Sequence, residues 1–206
     1  MTNAAIEVIA KRRTRYAIGR NLTQSQESIE ALIRQAIRLA PTSFNSQSSR
    51  AVILFGDASL RFWNIVTEAL RAIVPAEQFD STQAKMDRFA AGVGTVLFYE
   101  DQATVKDLQE KFPLYADNFP DFSEQSGGMA QFAVWTALAS AGIGASLQHY
   151  HPLIDDAVAR EFDIPESWKL RAQMPFGSIE AKDEPKSFID DALRFRSHGN
   201  LTVAAE

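Results

Sequence analysis

From Pro120 to Ala141 the chain carries one helix-length stretch that is apolar on almost every side. Met129, Phe132, Ala133, Thr136, Ala137 and Ser140 recur on one face, while Val134, Trp135 and Leu138 cover much of the rest. A helix without a polar side does not lie on a solvated surface; it is buried on several sides. It therefore suits the centre of a domain or a subunit interface, and the other elements must be arranged to cover it. Gly142 and Gly144 end it.

The surrounding elements read as a mixture. A short helix over Asn3 to Ala10 leads into the basic cluster Lys11-Arg12-Arg13-Thr14-Arg15-Tyr16. Thr23 and Gln26 form a T-x-x-Q capping box for a helix with Ile29, Leu32, Ile33, Ala36, Ile37 and Ala40 at helical spacing, and Pro41 must stop it. Ala51 to Phe55 has the unbroken apolar pattern of a buried strand. Asp57 caps a helix reaching Ile73, and Ser81 to Phe89 predicts another. Gly92-Val93-Gly94 leads into a second buried strand, Thr95 to Tyr99, which ends at Glu100-Asp101. Then follow a helix over Thr104 to Lys111, the long apolar helix, a strand over Ala145 to Tyr150, a helix over Leu153 to Phe162, and a strand over Trp168 to Phe176 with Gly177 just past its end. From Lys182 the composition turns charged, and this tail is expected to wrap over a surface such as that of a partner subunit. Helices interspersed with four separated strands imply an α+β fold, a mixed sheet flanked by helices, and not a regular βαβ array. At 206 residues without a linker or repeat, one domain over residues 1–206 is expected.

Composition narrows the chemistry. A formal net charge of -5 argues against a dedicated nucleic-acid binder, which needs surplus Lys and Arg to neutralise phosphates. The absence of Cys removes disulfides, thiolate nucleophiles and iron–sulfur ligation, so any redox work must be delegated to a cofactor. Met1 to Arg13 lacks a signal-like apolar run, and nowhere do about 18 uninterrupted apolar residues occur. A cytoplasmic location without a membrane partner is expected.

Several motifs are weak. Gly92-x-Gly94 precedes its strand, whereas a dinucleotide fingerprint follows one, so a helix stop and tight turn is the better reading. His149 and His151 would share one face of a strand, but with only His198 besides them they do not make a metal site. No G-x-S-x-G elbow supports Ser/His/Asp hydrolysis. The acidic pairs Asp155-Asp156 and Asp190-Asp191 read as solvated or helix-capping charges. Two segments stand apart. Lys11 to Arg15 packs four cations into five residues of an acidic chain, which fits either an anion site or a charged helix end favoured by the dipole. The loop Pro41-Thr42-Ser43-Phe44-Asn45-Ser46-Gln47-Ser48-Ser49 is rich in hydroxyls and amides, as a polar binding loop or a plain turn would be.

Together these segments resemble a specific pattern. Arg12-Arg13-Thr14-x-Tyr16 is similar to the Arg-x-Ser/Thr entry motif of the nitroreductase family, and Pro41-Thr42-Ser43-x-Asn45-Ser46-Gln47 to its P-S-S-x-N-S-Q loop. Gly92 to Phe98, Gln131 to Leu138 and Leu147-Gln148-His149-Tyr150 are similar to its branch of bacterial and fungal stress-linked members. The resemblance implies FMN as cofactor and a homodimer with each flavin at the subunit interface. Arg12, Arg13, Thr14 and Tyr16 would serve the phosphate and ribityl chain, and Thr42, Ser43, Asn45 and Gln47 would come from the neighbouring subunit. Gln148, His149 and Tyr150 would lie along the flavin edge with a backbone N–H toward N5 or O4, and Lys85 near N1 and O2. Among Lys186, Arg194 and Arg196, Arg194 is favoured to complete the phosphate site because it follows Phe188-Ile189-Asp190-Asp191. The chain departs from better-known members in having Ser48-Ser49 in place of Pro-Trp, and in Arg13 and Tyr16.

The implied activity is a ping-pong hydride exchange from NADH or NADPH to nitroaromatic, quinone or similar electron-poor small molecules, with the chemistry on the flavin and no catalytic side chain. Phe44, Tyr115, Phe119 and Phe122 are candidate walls for a planar acceptor, although each also fits an ordinary core. A flavin-binding regulatory or storage protein is the alternative, and an anion-binding module built on Lys11 to Arg15 a third.

Overall fold

The computed structural model describes residues 3–199. Asn3 caps α1 (Ala4–Lys11) by accepting from the Ala5 N–H, and β1 (Ile18–Gly19) follows. The next helix, α2 (Gln26–Leu39), is capped by Ser25 and not by the expected Thr23. Ser25 holds the extended conformation directly before the first turn and accepts from the Ser28 N–H, while Gln24 turns away to donate to the Ala141 carbonyl at 2.8 Å. Ala40, extended before Pro41, ends the helix.

The rest of the chain supplies β2 (Ser49–Phe55), α3 (Gly56–Arg71), α4 (Phe79–Ala90), β3 (Gly94–Asp101), α5 (Gln102–Lys111), α6 (Phe119–Ser140), β4 (Gly144–Ala145), α7 (Asp155–Phe162), β5 (Trp168–Ile179) and α8 (Asp191–Arg194). The sheet runs β1-β5-β3-β2 with β4 also on β5, and every strand pairing is antiparallel. A parallel bridge joins Thr14 to Ala145. This is the expected α+β architecture, a mainly antiparallel sheet flanked by helices.

Alternation along the strands divides the interior in two, since successive side chains point to opposite faces. Val96 and Phe98 of β3 join Ala172, Met174 and Phe176 against Ile29, Ile33, Val134 and Leu138 from α2 and α6. Leu97 and Tyr99 join Leu54 and Leu170 against Phe62, Trp63, Val66, Met86, Phe89 and Val158 from α3, α4 and α7, with Ile154 just before α7. All eight residues of β3 are buried, as befits the strand between β2 and β5.

Several expectations are corrected. β2 is not a buried strand: only Leu54 is buried, because β2 pairs with β3 alone and its other edge borders an open cleft. Asp57 lies in the first turn of α3 without capping it, since Gly56, at φ 51°, already makes the entry. The predicted strand over Ala145 to Tyr150 shrinks to Gly144–Ala145 plus a bridge between Gln148 and Gln173. β5 continues through Gly177, where a Cβ would collide with the Gly19 carbonyl oxygen. That glycine marks a close approach of two backbones, not a strand end. Asp190 caps α8 as expected, whereas Asp155 lies half-buried in the first turn of α7 with its Oδ1 out of solvent and without a partner among the described residues.

The long helix α6 has two different flanks. Ser123, Ser126, Gly127, Ala130, Val134 and Leu138 are buried. Met129 and Phe132 are 39% and 43% exposed and, with Val8, Leu32, Ala36, Leu39 and Thr136, line an apolar groove of about 710 Å³. Among the described residues no helix is long and apolar enough to cross a membrane.

Candidate functional site

The loop after α2 is held in an uncommon backbone shape. Phe44, Asn45 and Gln47 have φ of 55°, 49° and 49°. Asparagine tolerates this left-handed region, but a bulky residue there is a genuine outlier, and such positions cost about 1–3 kcal/mol each. Local bonds sustain it: the Asn45 N–H donates to the Thr42 carbonyl and the Gln47 N–H to Thr42 Oγ1, both at 3.0 Å. The Ser43 N–H donates to Ser126 Oγ of α6 at 3.3 Å. The Phe44 ring meets Phe112, Phe119 and Tyr115 with centroids 5.0, 5.3 and 6.0 Å away. Asn45 and Gln47 are left exposed, lining a cleft of about 490 Å³ between α2 and β2. Of the expected aromatic walls, Phe119 is core at 2% exposure, while Phe44 and Tyr115 are exposed.

At the other end of this loop the serines that replace Pro-Trp have partners. Ser48 and Ser123 donate to Glu100 Oε2 at 2.6 and 2.8 Å, and Ser49 donates to Glu100 Oε1 at 2.5 Å. Beside them Arg50 pairs with Asp101 at 2.8 Å. Burial alone would raise the Asp101 carboxyl, but hydrogen bonds from Ser167, Thr104 and the Ala103 N–H, with the Arg50 guanidinium, hold it below the usual carboxylate range.

In the entry segment, Arg12 ends α1 and lays its guanidinium over the Trp135 ring at 4.5 Å. Thr14 bridges to Ala145, and the Arg15 N–H donates to the Ala145 carbonyl at 2.9 Å. The cations of the cluster divide. Arg15 is paired with Asp183 at 2.6 Å and donates to the Ala181 carbonyl, while Arg13 donates only to the Glu184 carbonyl, at 2.6 Å. Neither Arg12 nor Arg13 has a carboxylate partner among the described residues.

Tyr16, Lys85 and Tyr150, far apart in sequence, come together around Phe89. The Tyr16 ring lies 6.4 Å from Phe89, and Lys85 Nζ is 5.8 Å from Phe89 and 5.9 Å from Tyr150. Burial first, and Tyr16 second, push the Tyr150 phenol up to about 12, so it stays protonated at neutral pH. Its hydroxyl is buried without a partner among the described residues. Gln148 is turned inward at 8% exposure, its Nε2 donating to Ser146 Oγ and its backbone pairing with Gln173. The Tyr150 N–H donates to Gln173 Oε1 at 2.8 Å. This leaves the N–H of exposed His149 without an acceptor among the described residues. The His149 and His151 rings meet at 5.8 Å, and burial, Arg171 and His149 hold His151 below its ordinary value. Among the described residues no group of three or more His, Asp or Glu is placed to hold a metal ion.

Arg194 stands away from these groups. The tail from Lys182 through Gly199 is exposed throughout, tied to the body at Asp183 and Glu184, and no hydrogen bond or ion pair among the described residues links α8 to the body. Sequence reasoning missed Glu100 and Gln173. For Glu100 the available signals were a carboxylate closing an apolar strand and the unusual Ser48-Ser49 pair; Gln173, a lone amide inside a strand, gave none.

With this geometry in place, comparison with known proteins is informative. The model of the nitroreductase family matches residues 9–178. Two relatives from Saccharomyces cerevisiae (strain ATCC 204508 / S288c) align along most of the chain. HBN1 is 36% identical over 186 residues, 89% of this chain and 92% of its own length, and nitroreductase FRM2 is 31% identical over 194 residues, 93% and 96% respectively. The nitroreductase CinD from Lactococcus lactis, solved in complexes with chloramphenicol, nicotinic acid and 4-nitrophenol, superposes with TM-scores of 0.88, 0.89 and 0.87 at 52–53% identity, over 95% of this chain and all of CinD. The chain belongs to the nitroreductase family, and so is an oxidoreductase of the kind that acts on nitro compounds.

Proposed function

We propose that this chain is a single-domain, FMN-dependent oxidoreductase that works as a homodimer and passes electrons from NADH or NADPH to an electron-poor small molecule such as a nitroaromatic or a quinone. The observation that carries this reading is the gathering of Tyr16, Lys85 and Tyr150 from three distant segments, beside the unengaged His149 N–H. A cation, a phenol donor and an N–H donor suit a planar ring that becomes anionic along one edge on reduction. Arg12 and Arg13, without carboxylate partners, suit a phosphate. The residues present therefore fit FMN. Arg12, Arg13 and Thr14 would hold its phosphate and ribityl oxygens, with Arg194 supplied where the tail reaches a partner. Thr42, Ser43, Asn45 and Gln47 would approach from the other subunit.

When bound, FMN supplies the two-electron chemistry, which a chain without Cys cannot draw from thiols. The protein binds and orients. Lys85 offsets negative charge, Tyr150 keeps its proton and can donate it in a hydrogen bond, and exposed Phe44 and Tyr115 offer ring faces to a planar acceptor. The CinD complexes with chloramphenicol and 4-nitrophenol support a nitroaromatic acceptor, and the complex with nicotinic acid supports a pyridine-ring donor such as NADH or NADPH. The open flank of α6 supports a second subunit.

The test is direct. Purified protein is expected to be yellow, to bleach anaerobically with NADH or NADPH, and to regain the flavin spectrum, after subtraction of the acceptor's own absorption, on adding 4-nitrophenol or a quinone. A colourless preparation that stays apo when mixed with FMN refutes the reading. Bound FMN that is neither reduced nor reoxidised at a saturable rate would make the chain a flavin store and not an enzyme.

A further inference from the structure

Glu100 is a carboxylate at 1% exposure without a cationic partner among the described residues. A buried ionised group is costly unless several donors satisfy it. Here the donors are three hydroxyls from two stretches of chain: Ser48 closes the loop and Ser49 opens β2, while Ser123 belongs to α6. The third stretch is β3, which carries Glu100 itself opposite Ser49 in the sheet, while the Asp101 N–H holds the Ser48 carbonyl at 3.0 Å. Gly127 makes room, since a Cβ there would lie 3.0 Å from Glu100 Oε1. Glycine inside a helix is unfavourable by about 1 kcal/mol relative to alanine, so its presence in α6 fits a close approach by the carboxylate.

We propose that Glu100 is the positioning residue of this site: it fastens the loop Thr42 to Ser49 to α6 and β3 so that Asn45 and Gln47 are presented outward. The loop has two moorings, Ser43 to Ser126 at one end and Ser48-Ser49 to Glu100 at the other. Between them sit Phe44, Asn45 and Gln47 in left-handed conformations that persist only where the surroundings over-determine them. Glu100 is too buried to touch a ligand and acts through the loop. The assignment of Asn45 as its beneficiary rests on the FMN reading; the fastening itself does not.

Glu100→Gln keeps the shape but turns one acceptor oxygen into an NH₂ donor and removes the charge. Hydrogen–deuterium exchange of the 42–49 amides is expected to quicken at least tenfold in E100Q, with the buried β3 amides from Val96 to Phe98, away from the loop, unchanged. Ser49→Ala, which keeps the carboxylate and removes one donor, should give a smaller change in the same direction and serves if E100Q does not fold. FMN titration, followed by flavin fluorescence, is expected to show about tenfold weaker binding in E100Q. Asn45→Asp should weaken binding clearly in the wild-type background and much less in E100Q. Unchanged loop exchange in a folded E100Q or S49A overturns the proposal. So does full additivity of E100Q and N45D. If wild-type protein does not bind FMN while loop exchange responds as expected, the flavin reading fails and the fastening stands.

Discussion

Tyr150 allows a test in which stability and binding should move in opposite directions. Its ring meets Trp63 edge to face at 6.0 Å, and Tyr150→Phe preserves that contact. The substitution removes only the hydroxyl, which is buried and has no partner among the described residues. Leaving such a group unsatisfied costs about 1–3 kcal/mol. Tyr150 as a whole is only half-buried, so small movements can recover part of this, and the gain expected in the apo-protein is about 1 kcal/mol. For a chain of this size that raises the melting temperature by about 2–4 °C. If the hydroxyl donates to bound FMN, the variant should bind FMN about tenfold more weakly, about 1.4 kcal/mol, and at saturating FMN the advantage should cancel or reverse. The assay is thermal unfolding by circular dichroism, apo and FMN-loaded, at one fixed protein concentration. Raised pH gives an internal check. The folded phenol is pushed to about 12 from 10.0, so the unfolded chain ionises first, and because burial penalises the phenolate the folded state loses stability as pH rises above 10.0 towards the folded value. Y150F should lose less over that range. An apo variant destabilised by more than about 1 kcal/mol would refute the reasoning, since it would mean that the hydroxyl is satisfied in the fold.

Two further outcomes are expected. Phe132→Asp places a charge in the open groove beside α6 and should convert a dimer into monomers in sedimentation velocity; an unchanged dimer removes this face from the interface. Asp101, held below its usual value, contributes stability that is present above 3.8 and lost as pH falls through its folded value, so the gap in urea stability between wild type and Asp101→Asn should be widest near neutrality and close in acid; a gap independent of pH refutes the assigned pairing.

The sequence announces what repeats and hides what depends on distant partners. The apolar run of β3 and the all-round apolarity of α6 are local patterns, and both elements form where they are expected. The two-sided core follows from the alternation of Val96, Leu97, Phe98 and Tyr99. Capping was less legible. Thr23-x-x-Gln26 reads as the start of α2, but the cap is Ser25, two residues on, and Gln24 between them is tied to the Ala141 carbonyl across the fold. Gly177 reads as a stop, yet its reason is the Gly19 backbone, 158 positions earlier. The polar loop and the basic cluster were visible as compositions. That Arg15 is neutralised by Asp183, that Gln148 faces inward onto Ser146 and Gln173, and that a single carboxylate holds Ser48 and Ser49 are facts of tertiary proximity. No spacing rule within one segment encodes them.

The two flanks of α6 have a consequence for how this protein should be measured. The helix is 22 residues long, a rod of about 33 Å. On its early turns Ser126 accepts from the loop and Ser123 donates to Glu100, which grips the loop's other end, while Thr136 and Ser140 on its later turns line the open groove. On the proposed function a second subunit seats in the groove and FMN is held by way of the loop, so both act on one helix, and any shift of α6 that the first produces is felt by the second as a coupling free energy. Subunit concentration then becomes a variable in every binding curve. If the groove is the subunit interface, a ligand affinity measured on dilute protein is that of the monomer and one measured on concentrated protein that of the dimer, and the difference between them reports the coupling along the helix.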